Sequence, residues 1–237
     1  MRRSRSSLVV AAVAASITLL GTGAYAGAQA AVTPLEVDCT NSQLAPHTGF
    51  QVAPACASTS IGEVPAEANG ASLLITAAPK KVREGEDIVL RVSTRNILRD
   101  RFLAAGQGGY YIETSLLTED GIVRGHFHAG CRVVDAGANA PTPQRSPVFK
   151  AVEDGQGSQV PDTVTVTFAG KDAAGKAIFQ KGQDLQCAAW GGDGSHRIPT
   201  MQFANQIPAF DSVRVEVRDG GGEGKREDRD EREGKQR

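Results

Sequence analysis

The sequence predicts an all-β chain, a two-sheet antiparallel sandwich, and three observations carry that expectation. Short runs alternate apolar and polar side chains with period two, as half-buried strands do. Glycine (27 residues) and proline (11 residues) interrupt those runs without a G-X-Y period, so they mark turns and not a collagen-like helix. No stretch of useful length places apolar residues at the i, i+3, i+4 spacing of a helix.

Taken in order, the first element is not part of the fold. Arg2, Arg3 and Arg5 precede an apolar run over 8–20, and Ala28-Gln29-Ala30 follows, the order of a secretory signal peptide cleaved after Ala30. That run falls short of the ~20 residues a spanning helix needs. The sequence therefore predicts a secreted, extracellular protein with no membrane span once the signal is removed. Residues 31–70 are rich in Pro, Thr, Ser and Asn and read as an extended lead-in.

The body is expected over 71–218. Leu73, Leu74 and Ile75 open it, and Ile88, Leu90 and Val92 alternate with polar residues over 87–94. Two strand-like runs, 110–118 and 122–134, flank Asp120-Gly121, a strong hairpin signal. Three prolines make 135–147 a loop. Val164, Val166 and Phe168 alternate with threonines, 171–175 is a turn, and 177–190 holds one or two strands. Val213, Val215 and Val217 form a final edge strand. The tail, 219–237, has seven acidic and six basic residues and no large apolar side chain, so it cannot bury enough surface to order itself and is expected to be disordered.

The opening over 72–94, an apolar strand, Pro79, Gly85-Glu86 and an alternating strand, resembles the first hairpin of secreted bacterial immunoglobulin-like domains. The closing run from Asp211 through Val217 resembles the last strand of that fold. The resemblance implies an immunoglobulin-like sandwich. It also implies that Cys131 and Cys187, late in the chain, need not form that family's inter-sheet bridge.

Four cysteines in an exported chain imply two disulfides. The favoured pairing is Cys39 with Cys56, stapling the lead-in, and Cys131 with Cys187, joining two strands. No C-x-x-C occurs, which argues against a zinc ribbon.

Charge excludes some functions. Lys and Arg number 26 against 27 Asp and Glu, and between 31 and 218 there are 17 basic and 20 acidic residues. A mildly acidic body lacks the electrostatic footprint of a nucleic-acid binder.

Chemistry is concentrated in histidine. Gly125-His126-Phe127-His128 is an H-x-H on a predicted strand. Period two puts both imidazoles on one face, in a row with Arg124, and turns Phe127 toward the core. A two-residue loop at Asp120-Gly121 sets Ser115 opposite His126 and Glu113 opposite His128, with Tyr111 on the same face. The Gly-rich run 190–199, carrying Trp190, Asp193 and His196, is placed to cover that face. Imidazole is a common ligand of iron, copper and zinc. His126, His128 and His196 are therefore candidate metal ligands, and Tyr111, Glu113, Arg124, Asp193 and Trp190 a candidate binding face. Trp190 reads either as a sugar-stacking platform or as a core residue beside Cys187. The bland alternative is a solvated polar face with Glu113 and His128 as a surface pair.

Tyr111-Ile112-Glu113-Thr114, Asp120-Gly121 and Arg124-Gly125-His126-Phe127-His128 are similar to part of the intradiol ring-cleavage dioxygenases, β-sandwich enzymes whose ferric iron is held by two tyrosines and an H-x-H pair. The resemblance implies iron at His126 and His128. That family's tyrosines are well separated, whereas Tyr110 and Tyr111 are adjacent, and on alternating strand faces the two do not both reach one iron.

The sequence thus carries two functional expectations. One is a disulfide-stabilised extracellular binding or cell-surface interaction module, whose partner is an extracellular ligand or a cell-wall component. The other is a secreted metal-dependent enzyme built on the His126/His128 strand.

Overall fold

The computed structural model describes residues 39–134 and 139–219. The expected signal peptide, the first residues of the lead-in and all but the first residue of the charged tail lie outside the described residues.

Ten strands follow in chain order: β1 (Ser72–Ala77), β2 (Lys81–Arg83), β3 (Ile88–Arg95), β4 (Ile97–Leu98), β5 (Leu116–Leu117), β6 (Val123–Val134), β7 (Val148–Val152), β8 (Asp162–Phe168), β9 (Asp184–Asp193) and β10 (Phe210–Arg218). The only helical pieces among the described residues are two single 3₁₀ turns. The chain is all-β. A smaller sheet has the order β1-β3-β8. A larger one has the order β2-β10-β9-β6-β4, with β5 and β7 also paired to β6, and it curls into a half-barrel.

The pairing is not purely antiparallel, as the period-two pattern suggested. β2 runs parallel to β10, and β4 parallel to β6. β2 aligns Val82 with Val217, both buried, so β10 is flanked on both sides and is not the edge strand expected of it.

One apolar cluster draws on both sheets. Leu73, Ile75, Ile88, Leu90, Val92, Val166 and Phe168 come from the smaller sheet. Phe127, Ala129, Cys131, Leu185, Cys187, Ala189, Val215 and Val217 come from the larger. Alternation along β6 and β9 decides which residues enter it, and the other face of those two strands is left for the site.

Both disulfides form as the cysteine spacing suggested, Cys39 with Cys56 and Cys131 with Cys187. The second joins residues directly opposite each other on β6 and β9, so it lies within one sheet. Its sequence separation of 56 corresponds, in the chain-entropy model, to about 4 kcal/mol. A Cys131→Ala/Cys187→Ala double variant is expected to lose most of that, read as a lower midpoint in urea. An unchanged midpoint would mean that the unfolded chain gains nothing from the cross-link.

Beside β4 a charged side chain is buried. Arg99 is 1% exposed and reaches two carboxylates, Asp154 (Nε to Oδ1, 2.8 Å) and Asp162 (Nη2 to Oδ2, 2.6 Å). Its Nη1 also donates to the Thr94 hydroxyl at 2.6 Å. The guanidinium thus ties the β4 end of the larger sheet to β3 and β8 of the smaller.

Candidate metal centre

β6 and β9 position the site. Their register sets His126 opposite Gly192 and His128 opposite Trp190. As period two requires, both imidazoles leave the sheet on the face away from Phe127, Ala129 and Cys131. That face is covered and not solvated: His126 is 0% and His128 5% exposed.

The third imidazole comes from the loop after β9, and Asp193 builds that loop. Its Oδ1 accepts the backbone N–H of Ser195 (2.9 Å) and of Arg197 (3.0 Å), and its Oδ2 accepts Arg197 Nε at 2.8 Å. The Asp193 and Arg197 backbones close the turn at 2.8 Å. The consequence is His196 held at φ 72°, a conformation non-glycine residues rarely adopt and one that recurs at functional sites. Asp193 is therefore a builder of the loop, with its carboxylate already occupied.

Among the described residues, His126, His128 and His196 each offer a ligand atom within 4.8 Å of the others. The Nε2 atoms of His126 and His128 are 2.9 Å apart. Metal–nitrogen bonds of about 2.0–2.1 Å set two ligand nitrogens of a tetrahedral ion about 3.3 Å apart, so this pair needs only a small adjustment. His126 Nδ1 lies 2.9 Å from the Arg101 carbonyl. A carbonyl only accepts, so Nδ1 carries the proton and Nε2 presents its lone pair, the arrangement by which outer partners orient metal-bound histidines. The Nδ1 of His196 is buried without a hydrogen-bond partner.

Burial keeps these imidazoles neutral. Desolvation, assisted by the neighbouring histidines, holds His126 down at about 4 and His128 at about 3. His196 is lowered mainly by desolvation, against the opposing pull of its hydrogen bonding and of Asp193. In metal-free protein the sign follows from linkage. An unfolded histidine titrates near 6.5, so the unfolded chain takes up protons first. Their neutral state contributes fully above that pH, and the contribution is lost as pH falls from 6.5 through 4 and 3. Urea unfolding between pH 7 and 3.5 is expected to show a loss on the order of 3 kcal/mol for each of these two histidines, and to be shallower in a His126→Gln/His128→Gln variant. An equal slope in that variant would assign the acid sensitivity elsewhere.

Beside His128 and His196 lies a cavity of about 390 Å³, lined also by Phe102, Tyr110, Phe149 and Trp190 among others. Phe102 packs edge-on to His126 at 4.9 Å between ring centres, and Trp190 stands 5.4 Å from His128. Trp190 is half-buried on the cavity face, not a core residue.

Several expected members lie elsewhere. The hairpin register is one residue off the two-residue-loop expectation: Leu116 faces Arg124 and Leu117 faces Val123. Pairing then stops, and 110–113 is loop. Ser115 bridges to Gly62 and does not face His126. The Glu113 carboxylate is taken by Arg101 and does not pair with His128. Arg124 is held by Asp100 at 2.7 Å.

The tyrosines correct another expectation. Because 110–111 is not strand, Tyr110 and Tyr111 do not point to opposite faces. Tyr111 sits at φ 57°, the ring centres are 3.9 Å apart with the planes tilted by 30°, and the hydroxyls are 2.9 Å apart. Tyr110 reaches within 5.5 Å of the His196 ring, and His47, given no role by the sequence, lies 5.8 Å from Tyr111. Burial and the Tyr111 bond push the Tyr110 phenol up to about 12, so it is a neutral donor.

No protein-family model matches the chain, and no curated protein matches it. Two solved structures of a β-glucosidase from Listeria innocua, one in complex with gluconolactone and one with glucose, are 13% identical to it, at TM-scores of 0.30 and 0.29. Each comparison covers 63% of this chain and 16% of the other, so the chain spans about a sixth of that enzyme. Likeness at that level carries no argument about function.

Proposed function

We propose that this protein is a secreted metal-dependent enzyme whose reaction centre is a zinc or copper ion held by His126, His128 and His196. One observation carries the reading: three imidazoles, two of them fully or almost fully buried, converge within 4.8 Å beside a cavity. A buried nitrogen without a partner is costly, and the cluster contains one, His196 Nδ1. Three neutral nitrogen donors leave the ion its full charge, and a three-ligand site keeps a position open for water or substrate. Absence of a carboxylate ligand favours zinc and copper over the iron of a 2-His-1-carboxylate site. Tyr110, kept protonated and donating its hydroxyl to that of Tyr111, is not a phenolate ligand of the intradiol kind.

Export is inferred from the signal-like 1–30 and is supported by two disulfides. No helix among the described residues is long and apolar enough to cross a membrane. The immunoglobulin-like sandwich is likewise our reading, supported by two sheets sharing one apolar cluster.

Metal analysis tests the proposal. Mature protein titrated with zinc and with copper is expected to take up one equivalent of at least one of them, and His126→Ala/His128→Ala to take up none while keeping its β circular-dichroism spectrum. Affinity weaker than about 1 mM for both ions would overturn the enzyme reading. The extracellular binding module would then be preferred, its ligand occupying the same aromatic cavity.

A further inference from the structure

The face that carries the histidines continues beyond them. Along β6 and β9, His128 opposite Trp190 is followed by Gly130 opposite Ala188 and then Arg132 opposite Gln186. A second cavity of about 250 Å³ follows this line, and Trp190 lines both cavities. Ala188 makes a low floor, Ser146 packs over Gly130, and Trp190 borders both cavities. Phe149, half-exposed, tilts toward Trp190 at 6.2 Å between ring centres. At the far end the Arg132 guanidinium is aimed by Gln186, whose Oε1 accepts its Nε (3.0 Å) and Nη2 (2.8 Å). Among the described residues Arg132 makes no ion pair, and no carboxylate lines this cavity.

From these observations we infer that the groove from His128 to Arg132 is a binding site for an acidic oligosaccharide, a uronate chain, whose carboxylate meets Arg132 and one of whose rings stacks on Trp190. Four residues of strand separate His128 from Arg132, about 13 Å, which suits a short chain and not a single ring. An open, shallow floor does not enclose an apolar ligand as a drug-type pocket does. A flat indole beside amide side chains matches the apolar face and hydroxyls of a sugar. A guanidinium facing a groove without acidic groups selects a carboxylate. The inference deepens the metal-centre reading by naming a substrate class, since a chain lying here extends toward His128.

Trp190 is the sole tryptophan, so its fluorescence reports binding directly. Full mature protein is titrated with tetragalacturonate and, as the neutral control, maltotetraose. Saturable change with the acidic chain is expected, at least ten-fold tighter than with the neutral one. Arg132→Gln is expected to reduce the acidic chain to the level of the neutral chain, and Ala188→Leu, which raises the floor without touching Arg132, to weaken both. No saturable change up to about 10 mM, or unchanged affinity in either variant, would overturn the proposal. Repeating the titration on His126→Ala/His128→Ala separates the two readings: the groove still binds if only the metal reading fails, and metal uptake by wild-type protein survives if only the groove reading fails.

Discussion

Gly192→Ala is expected to lower zinc or copper affinity about 100-fold while both sheets remain folded. Gly192 sits opposite His126 across the β6–β9 pairing, and a Cβ there would stand 2.9 Å from His126 Nε2 and 3.1 Å from its Cε1. Nε2 is the unprotonated nitrogen, hydrogen-bonded to His128 Nε2 at 2.9 Å, so the added methyl crowds the coordinating nitrogen itself. The ring has little room to escape. Its Nδ1 is bound to the Arg101 carbonyl, Phe102 packs on it at 4.9 Å, and His196 lies 5.0 Å away. The backbone at Gly192 does not have a positive φ, so alanine is conformationally acceptable and the effect is steric. Overpacking of this kind costs about 1–3 kcal/mol of stability. Gly191→Ala is the control, because its Cβ meets Ala209 and Pro199, away from the imidazoles. Isothermal titration with each ion checks both variants, and wild-type affinity in Gly192→Ala would show that His126 Nε2 is not a ligand atom.

Replacing Arg99 with methionine is expected to destabilise the fold by roughly 3 kcal/mol. Removing one partner from a buried charge network costs about 3–5 kcal/mol because the remaining charges are left uncompensated. The lower end applies here, since the Asp154 and Asp162 side chains are 37% and 35% exposed and water partly takes over. Burial alone would raise both carboxylates, but their hydrogen bonds with Arg99 outweigh it and hold them below the usual range. A depressed carboxylate stabilises the fold above its unfolded value of about 3.9, and that contribution is lost as pH falls through the folded value. Urea unfolding at pH 7 should therefore show the full deficit of Arg99→Met, and the deficit should shrink below pH 4. A constant deficit across that range would attribute the loss to packing alone.

The histidine pair was legible because a strand has a fixed period. Once 122–134 is read as a strand, His126 and His128 must share a face and Phe127 must take the other. The disulfide pairing was legible because four cysteines allow only three pairings. The failure came at Tyr110, Tyr111 and Glu113. Tyrosine favours strands, yet the backbone N–H groups here pair with loops: Tyr110 with Gly49, Tyr111 with the Ser195 carbonyl and Glu113 with the Ser195 hydroxyl. Each of those partners is remote in sequence, so no local pattern could have signalled them. β2 and β4 were missed because strands of three and two residues are too short to show a period, and β7 because its five residues, Val148–Val152, followed a proline-rich loop.

Sequence by itself determined the all-β class, the cross-linking of the chain and the shared face of His126 and His128. All three follow from local periodicity or from counting. Tertiary structure alone decided that the histidine face is buried, that Asp193 bends its loop to deliver His196, and that the two tyrosines lie side by side near the cluster. Those outcomes depend on which distant backbone groups satisfy one another when the two sheets close around their core, and that pairing is a property of the whole fold.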